Sequence, residues 1–128
     1  MKLLRLHGRK TSEYLLRKGR VWKGKTFNAY WLPGPPRHPN VDALRTALYV
    51  GTFGSAKLHK SAVVRNRMRR RIREALRVTV RELDKIPTAQ LLLNPRSASL
   101  TAPFEDIERD VRTLLTLLPP WPKEQKEK

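Results

Sequence analysis

An α+β fold, with helices packed on one small sheet as a two-layer sandwich, is predicted by two periodicities and by their order along the chain. Over residues 61–83, Val64, Met68, Ile72, Ala75, Leu76, Thr79 and Leu83 recur at helical spacing and fall on one narrow arc of a helical wheel. Residues 20–32, 46–53 and 89–94 read instead as strands, through alternation or through a short apolar run. The order is helix, two strands, helix, strand, helix. A length of 128 residues suits a single domain with one modest core.

The chain starts with Lys2, Arg5, Arg9 and Lys10, a basic lead-in. Thr11 or Ser12 is placed to cap a short helix through Tyr14, Leu15 and Leu16, with Arg17 and Lys18 in its last turn and Gly19 beyond. In the strand at 20–32, Phe27, Ala29 and Trp31 share one face while Asn28, Tyr30 and Leu32 share the other. Both faces carry an aromatic, so one of them lies under a helix or stays open. Four prolines make 33–40 an extended loop. The strand at 46–53 is expected to run antiparallel to the first across that loop, and 55–60 to form a basic connector whose backbone approaches a phosphate. The long helix starts near Ser61 and ends between Thr79 and Ile86, with Pro87 as the stop. Residues 89–94 are apolar enough for a central strand, and 95–101 read as loop. Pro103 opens a last helix, with Phe104, Ile107, Val111, Leu114, Leu115 and Leu118 on one face and Glu105, Asp106 and Glu108 near its positive end.

The polar arc of the long helix is almost all arginine. Arg65, Arg69 and Arg73 form a row at i, i+4 spacing; Asn66, Arg70, Arg77 and Arg81 follow behind, and Arg67 and Arg71 return to the far edge of the apolar stripe. From 65 to 77 there are seven arginines against Glu74 alone, a net of +6. Like charges at this spacing repel, so a polyanionic partner is implied. The whole chain agrees, with 28 Lys and Arg against 11 Asp and Glu and a net charge of +17. Arginine's planar fork suits phosphate, which points to nucleic acid. A near-uniform arginine face suits phosphates better than base edges, which argues against a helix reading the DNA major groove.

Cysteine is absent, which excludes disulfides, thiolate metal sites and a cysteine nucleophile. No apolar run reaches the roughly 20 residues of a membrane span, and the first residues are too short and interrupted for a signal peptide. A cytoplasmic protein is the simplest reading. His7, His38 and His59 lie far apart without metal-ligand spacing, and His59 beside Lys57 and Lys60 reads as an extra RNA contact. No carboxylate cluster or phosphate-cradling glycine loop is found, so no catalytic or metal-ligating residue is assigned. Phe27 or Tyr30 on an open sheet face would stack unpaired bases, although core packing is the favoured reading of Phe27 and Trp31.

The stretch Ala62-Val-Val-Arg-Asn-Arg-Met-Arg-Arg-Arg-Ile-Arg-Glu74 closely resembles the signature helix of the protein subunit of bacterial ribonuclease P, most distinctively in Arg65-Asn66-Arg67 followed by Arg69, Arg70 and Arg73. The order of the remaining parts agrees, from the short helix ending in Lys18-Gly19, through the aromatic strand and the Gly51 to Ser55 pattern, to the lysine-bearing connector. The resemblance covers residues 1–118, taken as a single RNA-binding domain, and leaves 119–128 as a disordered charged tail. It implies a left-handed βαβ crossover holding the arginine helix, like that of a domain in ribosomal and translation proteins. It also implies a holoenzyme that cleaves the 5′ leader from precursor tRNA, with catalysis by RNA and Mg²⁺ bound mainly by that RNA. The protein would bind the ribonuclease P RNA, one to one as a monomer, together with the leader of precursor tRNA.

By position, the resemblance makes Tyr30 and Phe27 the aromatics of the leader cleft. Arg65, Asn66, Arg69 and Arg73 become the polar edge of the signature helix, while Arg67 and Arg70 face the catalytic RNA or brace the connector. Asn66 suits bracing, since an amide bonds backbone and phosphate at once. Ser12 and Leu16 stand where the family's first helix usually has phenylalanines facing the cleft, and Tyr14 is off that register. Because Arg65 and Arg69 lie off the apolar arc, their replacement by alanine is expected to weaken RNA binding and leave the fold intact. A structural RNA-binding protein of the ribosome, or of another ribonucleoprotein, is the alternative.

Overall fold

The computed structural model describes residues 2–6, 8–37, 41, 46–53, 58–83 and 85–121. In chain order the elements are β1 (Lys2–Arg5), α1 (Arg9–Lys18), β2 (Arg20–Lys23), β3 (Phe27–Pro33), β4 (Ala47–Thr52), α2 (Ala62–Glu82), β5 (Ala89–Pro95), α3 (Ala98–Thr101) and α4 (Phe104–Leu117). The strands form one five-stranded sheet in the order β1-β4-β5-β3-β2. β5 pairs antiparallel with β3 and parallel with β4. An α+β sandwich is therefore what the chain forms.

α2 forms where its stripe and caps place it. The Ser61 hydroxyl accepts from the Val64 N–H at 3.3 Å, satisfying one of the donors that a helix start leaves open. The Leu83 N–H closes the last turn on the Thr79 carbonyl. Met68, Ile72, Ala75, Leu76, Thr79 and Val80 are buried. With Ile107, Val111, Leu114 and Leu115 of α4, the apolar part of that stripe covers Phe27, Ala29, Trp31, Leu48, Leu91 and Leu93 on one sheet face. The other face holds a smaller core of Leu6, Leu15, Ala47, Tyr49 and Leu92. α1 covers that face only in part.

Several expectations are corrected. The stretch 20–32 is a hairpin, broken at Gly24-Lys25-Thr26, and not one strand. A Cβ on Gly24 would lie 2.5 Å from the Trp22 ring and 2.8 Å from the Phe27 carbonyl oxygen, so the turn needs glycine. β4 is not the antiparallel neighbour of β3: β5 lies between them, because Leu91, Leu92 and Leu93 are buried on both faces and take the centre. The basic lead-in contains β1, parallel to β4. α1 starts at Arg9 after Gly8, with Thr11 and Ser12 inside the helix rather than capping it. Part of the stretch 95–101 is the single helical turn α3. Of the tail expected at 119–128, residues 122–128 lie outside the described residues, as do 38–40 of the proline loop, Gly54 and 55–57 of the connector. No helix among the described residues is long and apolar enough to cross a membrane.

Candidate nucleic-acid interface

The arginines of α2 divide by their contacts. Arg65 donates to the carbonyls of His59 at 2.6 Å and Lys60 at 3.1 Å, tying the connector to the helix start. The Ser61 N–H donates to His59 Nδ1 at 3.0 Å, so that imidazole helps shape the same turn. Among the described residues of the connector, the brace to the helix comes from Arg65. Asn66 instead accepts from Arg69 at 2.6 Å, on the exposed side of the helix. Arg71 reaches α3 and donates to the carbonyls of Ser99 (2.8 Å), Leu100 (3.0 Å) and Ala102 (2.7 Å), groups that a helix end leaves without partners. Arg77 is held by Glu74 at 2.6 Å, and its hydrogen bond keeps the Glu74 carboxyl below the usual carboxylate range. Arg67, Arg70 and Arg73 are exposed.

Strand register builds a second surface on the sheet face that α1 leaves partly open. Lys23, Asn28 and Asn94 stand opposite one another across β2, β3 and β5. The next row is Val21, Tyr30, Leu92 and Gly51, reaching β4. Phe53 follows β4, its N–H bonded to the Leu93 carbonyl at 3.0 Å. Its ring lies 6.3 Å from that of Tyr30, tilted by 45°. Both rings are half-buried, and Asn28 Oδ1 is buried without a hydrogen-bond partner.

Beside them lies a cleft of about 710 Å³. Ser12 and Leu16 of α1 line one wall, Gly51, Phe53 and Leu92 the floor, and Arg73 and Arg77 of α2 the other wall. The structure thus brings Arg73 to the same cleft as Phe53, the neighbour of Tyr30. Arg69 and Arg65 continue that row back along α2, about 12 Å of helix from 73 to 65. Arg67 and Arg70 lie off the row, at roughly 100° of helix rotation per residue. Arginine suits phosphate, the rings suit unpaired bases, and the Asn28 and Asn94 amides suit base edges.

Phe27 does not belong to this surface. It is fully buried under α2 and α4, 5.4 Å from the Trp22 ring, and offers no face to a base. Its alternation with Ala29 and Trp31 carried that information, because it set Phe27 opposite Tyr30. Phe53 was missed although it shares parity with Tyr49 and Gly51. Asn28, Asn94 and Lys23 converge only once the order of strands is known. Among the described residues no group of three or more His, Asp or Glu side chains is placed to hold a metal ion.

A family model described as Ribonuclease P matches residues 1–118. The chain is 36% identical over 115 residues to the ribonuclease P protein component of Thermus scotoductus, covering 87% of this chain and 60% of that protein. It is 36% identical over 110 residues to a component from Thermus thermophilus, covering 86% and 56%. The chain thus spans somewhat under two thirds of these relatives. Among solved structures, the RNase P protein from Thermotoga maritima superposes with a TM-score of 0.68 at 18% identity, over 89% of this chain and 96% of that one. The protein from Staphylococcus aureus gives a TM-score of 0.65 at 19% identity, over 88% and 93%. At these identities the likeness speaks for the fold.

Proposed function

The chain belongs to the ribonuclease P protein family, and from that premise we propose that it is the protein subunit of a ribonuclease P, assisting removal of the 5′ leader from precursor tRNA. The observation that carries the reading is that Arg73, at the end of the Arg65–Arg69–Arg73 row, and Phe53 line one cleft, with the Tyr30 ring 6.3 Å from that of Phe53. A single-stranded leader fits such a site: its phosphates track the arginine row and its unpaired bases stack on the rings. Arg67 and Arg70, off the row, are assigned to the catalytic RNA.

In this reading the protein supplies binding and orientation while catalysis rests with the RNA, which also holds most of the Mg²⁺. The protein works as one copy per RNA, in the cytoplasm. Lowering repulsion between two RNAs is what a chain of charge +17 does best.

The test is cleavage of a precursor tRNA by a bacterial ribonuclease P RNA at low Mg²⁺, with and without this chain. Stimulation that disappears when the leader is trimmed to about one nucleotide, and that weakens in Tyr30→Leu or Phe53→Leu, is the expected result. Stimulation indifferent to leader length would leave the subunit role and remove the cleft. Tight RNA binding without stimulation would favour a structural ribonucleoprotein role instead.

A further inference from the structure

α1 stands as a ridge with a cleft on either side. Ser12 and Leu16 line the one described above. Lys10, Thr11 and Tyr14 line another, of about 770 Å³. Helical spacing explains the division: 12 and 16 share one edge, 10, 11 and 14 share the other, and Leu15 is buried between them.

The far side of this second cleft is the start of the proline-rich loop, and the loop is held in place. The Gly34 N–H donates to the Thr88 carbonyl at 2.9 Å, and Gln90 Nε2 donates to the Pro35 carbonyl at 3.3 Å. Beyond α4 the chain returns to set Trp121 against Gly34. A Cβ at that glycine would lie 2.8 Å from the indole, and its φ of +85° disfavours a side chain independently. Trp121 remains 40% exposed and Tyr14 48% exposed, the latter with the Arg17 guanidinium 5.8 Å from its ring centre. Lys10, Arg20 and Arg37 also line the cleft, and none of its described lining residues is acidic.

We infer that this second cleft binds an unpaired segment of RNA, with bases against Tyr14 and Trp121 and phosphates against Lys10 and Arg37. Two exposed rings within a cationic rim form the combination that stacks bases while neutralising the backbone. An acidic polypeptide would satisfy the cations and leave the rings unused. The inference rests on the RNA-binding reading above and extends it, since α1 then carries RNA on both flanks.

The experiment uses the full chain and a fluorescein-labelled oligoadenylate of about eight nucleotides, within the usual span of single-strand sites. Anisotropy reports total binding and tryptophan emission reports the second cleft. Binding should quench the emission, and Trp121→Phe, which keeps a ring against Gly34, should abolish most of the quenching. Tyr14→Ala and the Lys10→Glu, Arg37→Glu double variant should each weaken binding about tenfold, the size of one lost stacking or charge contact. Tyr30→Leu should leave the Trp121 quenching in place. Binding by anisotropy that is indifferent to Trp121, Tyr14 and Lys10 would overturn the second site and leave the RNA-binding reading standing. Absence of any binding would take both down. Equal quenching by polyglutamate of matched charge would overturn RNA as the occupant in favour of an acidic polypeptide.

Discussion

Arg71 and Arg73 lie two positions apart on α2, and their contacts assign them opposite tasks. Arg71 spans to three carbonyls around the end of α3, whereas Arg73 lines the cleft beside Phe53. Arg71→Ala leaves those carbonyls short of a charged donor and should cost about 2–3 kcal/mol, seen as a melting temperature lower by about 10 °C. Arg73→Ala should stay within about 0.5 kcal/mol of the parent and weaken RNA binding. Equal melting temperatures for the two variants would refute this division. Arg65→Ala no longer falls with the purely functional substitutions. It removes two hydrogen bonds to the connector, so about 1 kcal/mol of stability should go together with affinity. The sequence could show that this helix face meets a polyanion, because charge and spacing are local. It could not separate Arg65, Arg71 and Arg73, since the distinction lies in which distant backbone each guanidinium reaches.

Elements were legible in proportion to how much of their signal is local. α2 carries a stripe, a serine cap and a stop within its own residues, and α4 an apolar face behind Pro103. β1 has only Leu3 and Leu4 between charges, and it is a strand because β4 lies beside it. The break between β2 and β3 lacks a common hairpin dipeptide, and its stability comes from α4, about 80 residues away. Asp110 accepts from the Thr26 N–H at 2.7 Å and from its hydroxyl at 2.6 Å, while Lys25 pairs with Asp106 at 3.1 Å. Thr26 is fully buried. Asp110→Ala would strand two donors and should lower unfolding free energy by about 2 kcal/mol in denaturant titrations. The Asp106 pair is a pH effect. Its hydrogen bond from Lys25, aided by Arg109, holds the carboxyl below the usual aspartate range. A folded-state value below the unfolded one stabilises above the unfolded value, near 3.9, and is lost as pH falls through the folded one. The stability gap between parent and Asp106→Asn should therefore be constant from about pH 7 to 5 and shrink below about pH 4. A gap that widened on acidification would contradict the pairing.

At the scale of the whole molecule, charge and ring surface make separable contributions to RNA binding, and salt distinguishes them. The net charge of +17 acts through displaced counterions, so log affinity for a single strand should fall with log salt by about 0.7 for each phosphate neutralised. If the row from Arg65 to Arg73 and the exposed cations beyond it meet about six phosphates, the slope is about −4. Removing a cation that touches phosphate lowers affinity and flattens that slope together. Removing a stacking ring lowers affinity at every salt concentration and leaves the slope alone, because no counterion is exchanged. Arg73→Gln should accordingly reduce the slope by about 0.7, whereas Tyr30→Leu or Phe53→Leu should shift the whole line downward by about tenfold without turning it. The measurement is anisotropy of a labelled leader-length oligonucleotide from about 50 to 300 mM salt, a span over which the screening length changes little compared with the affinity. Parallel lines for Arg73→Gln and its parent would mean that this arginine touches no phosphate. A flattened line for Tyr30→Leu would mean that the ring positions a cation instead of holding a base, and the cleft would then be an electrostatic groove throughout.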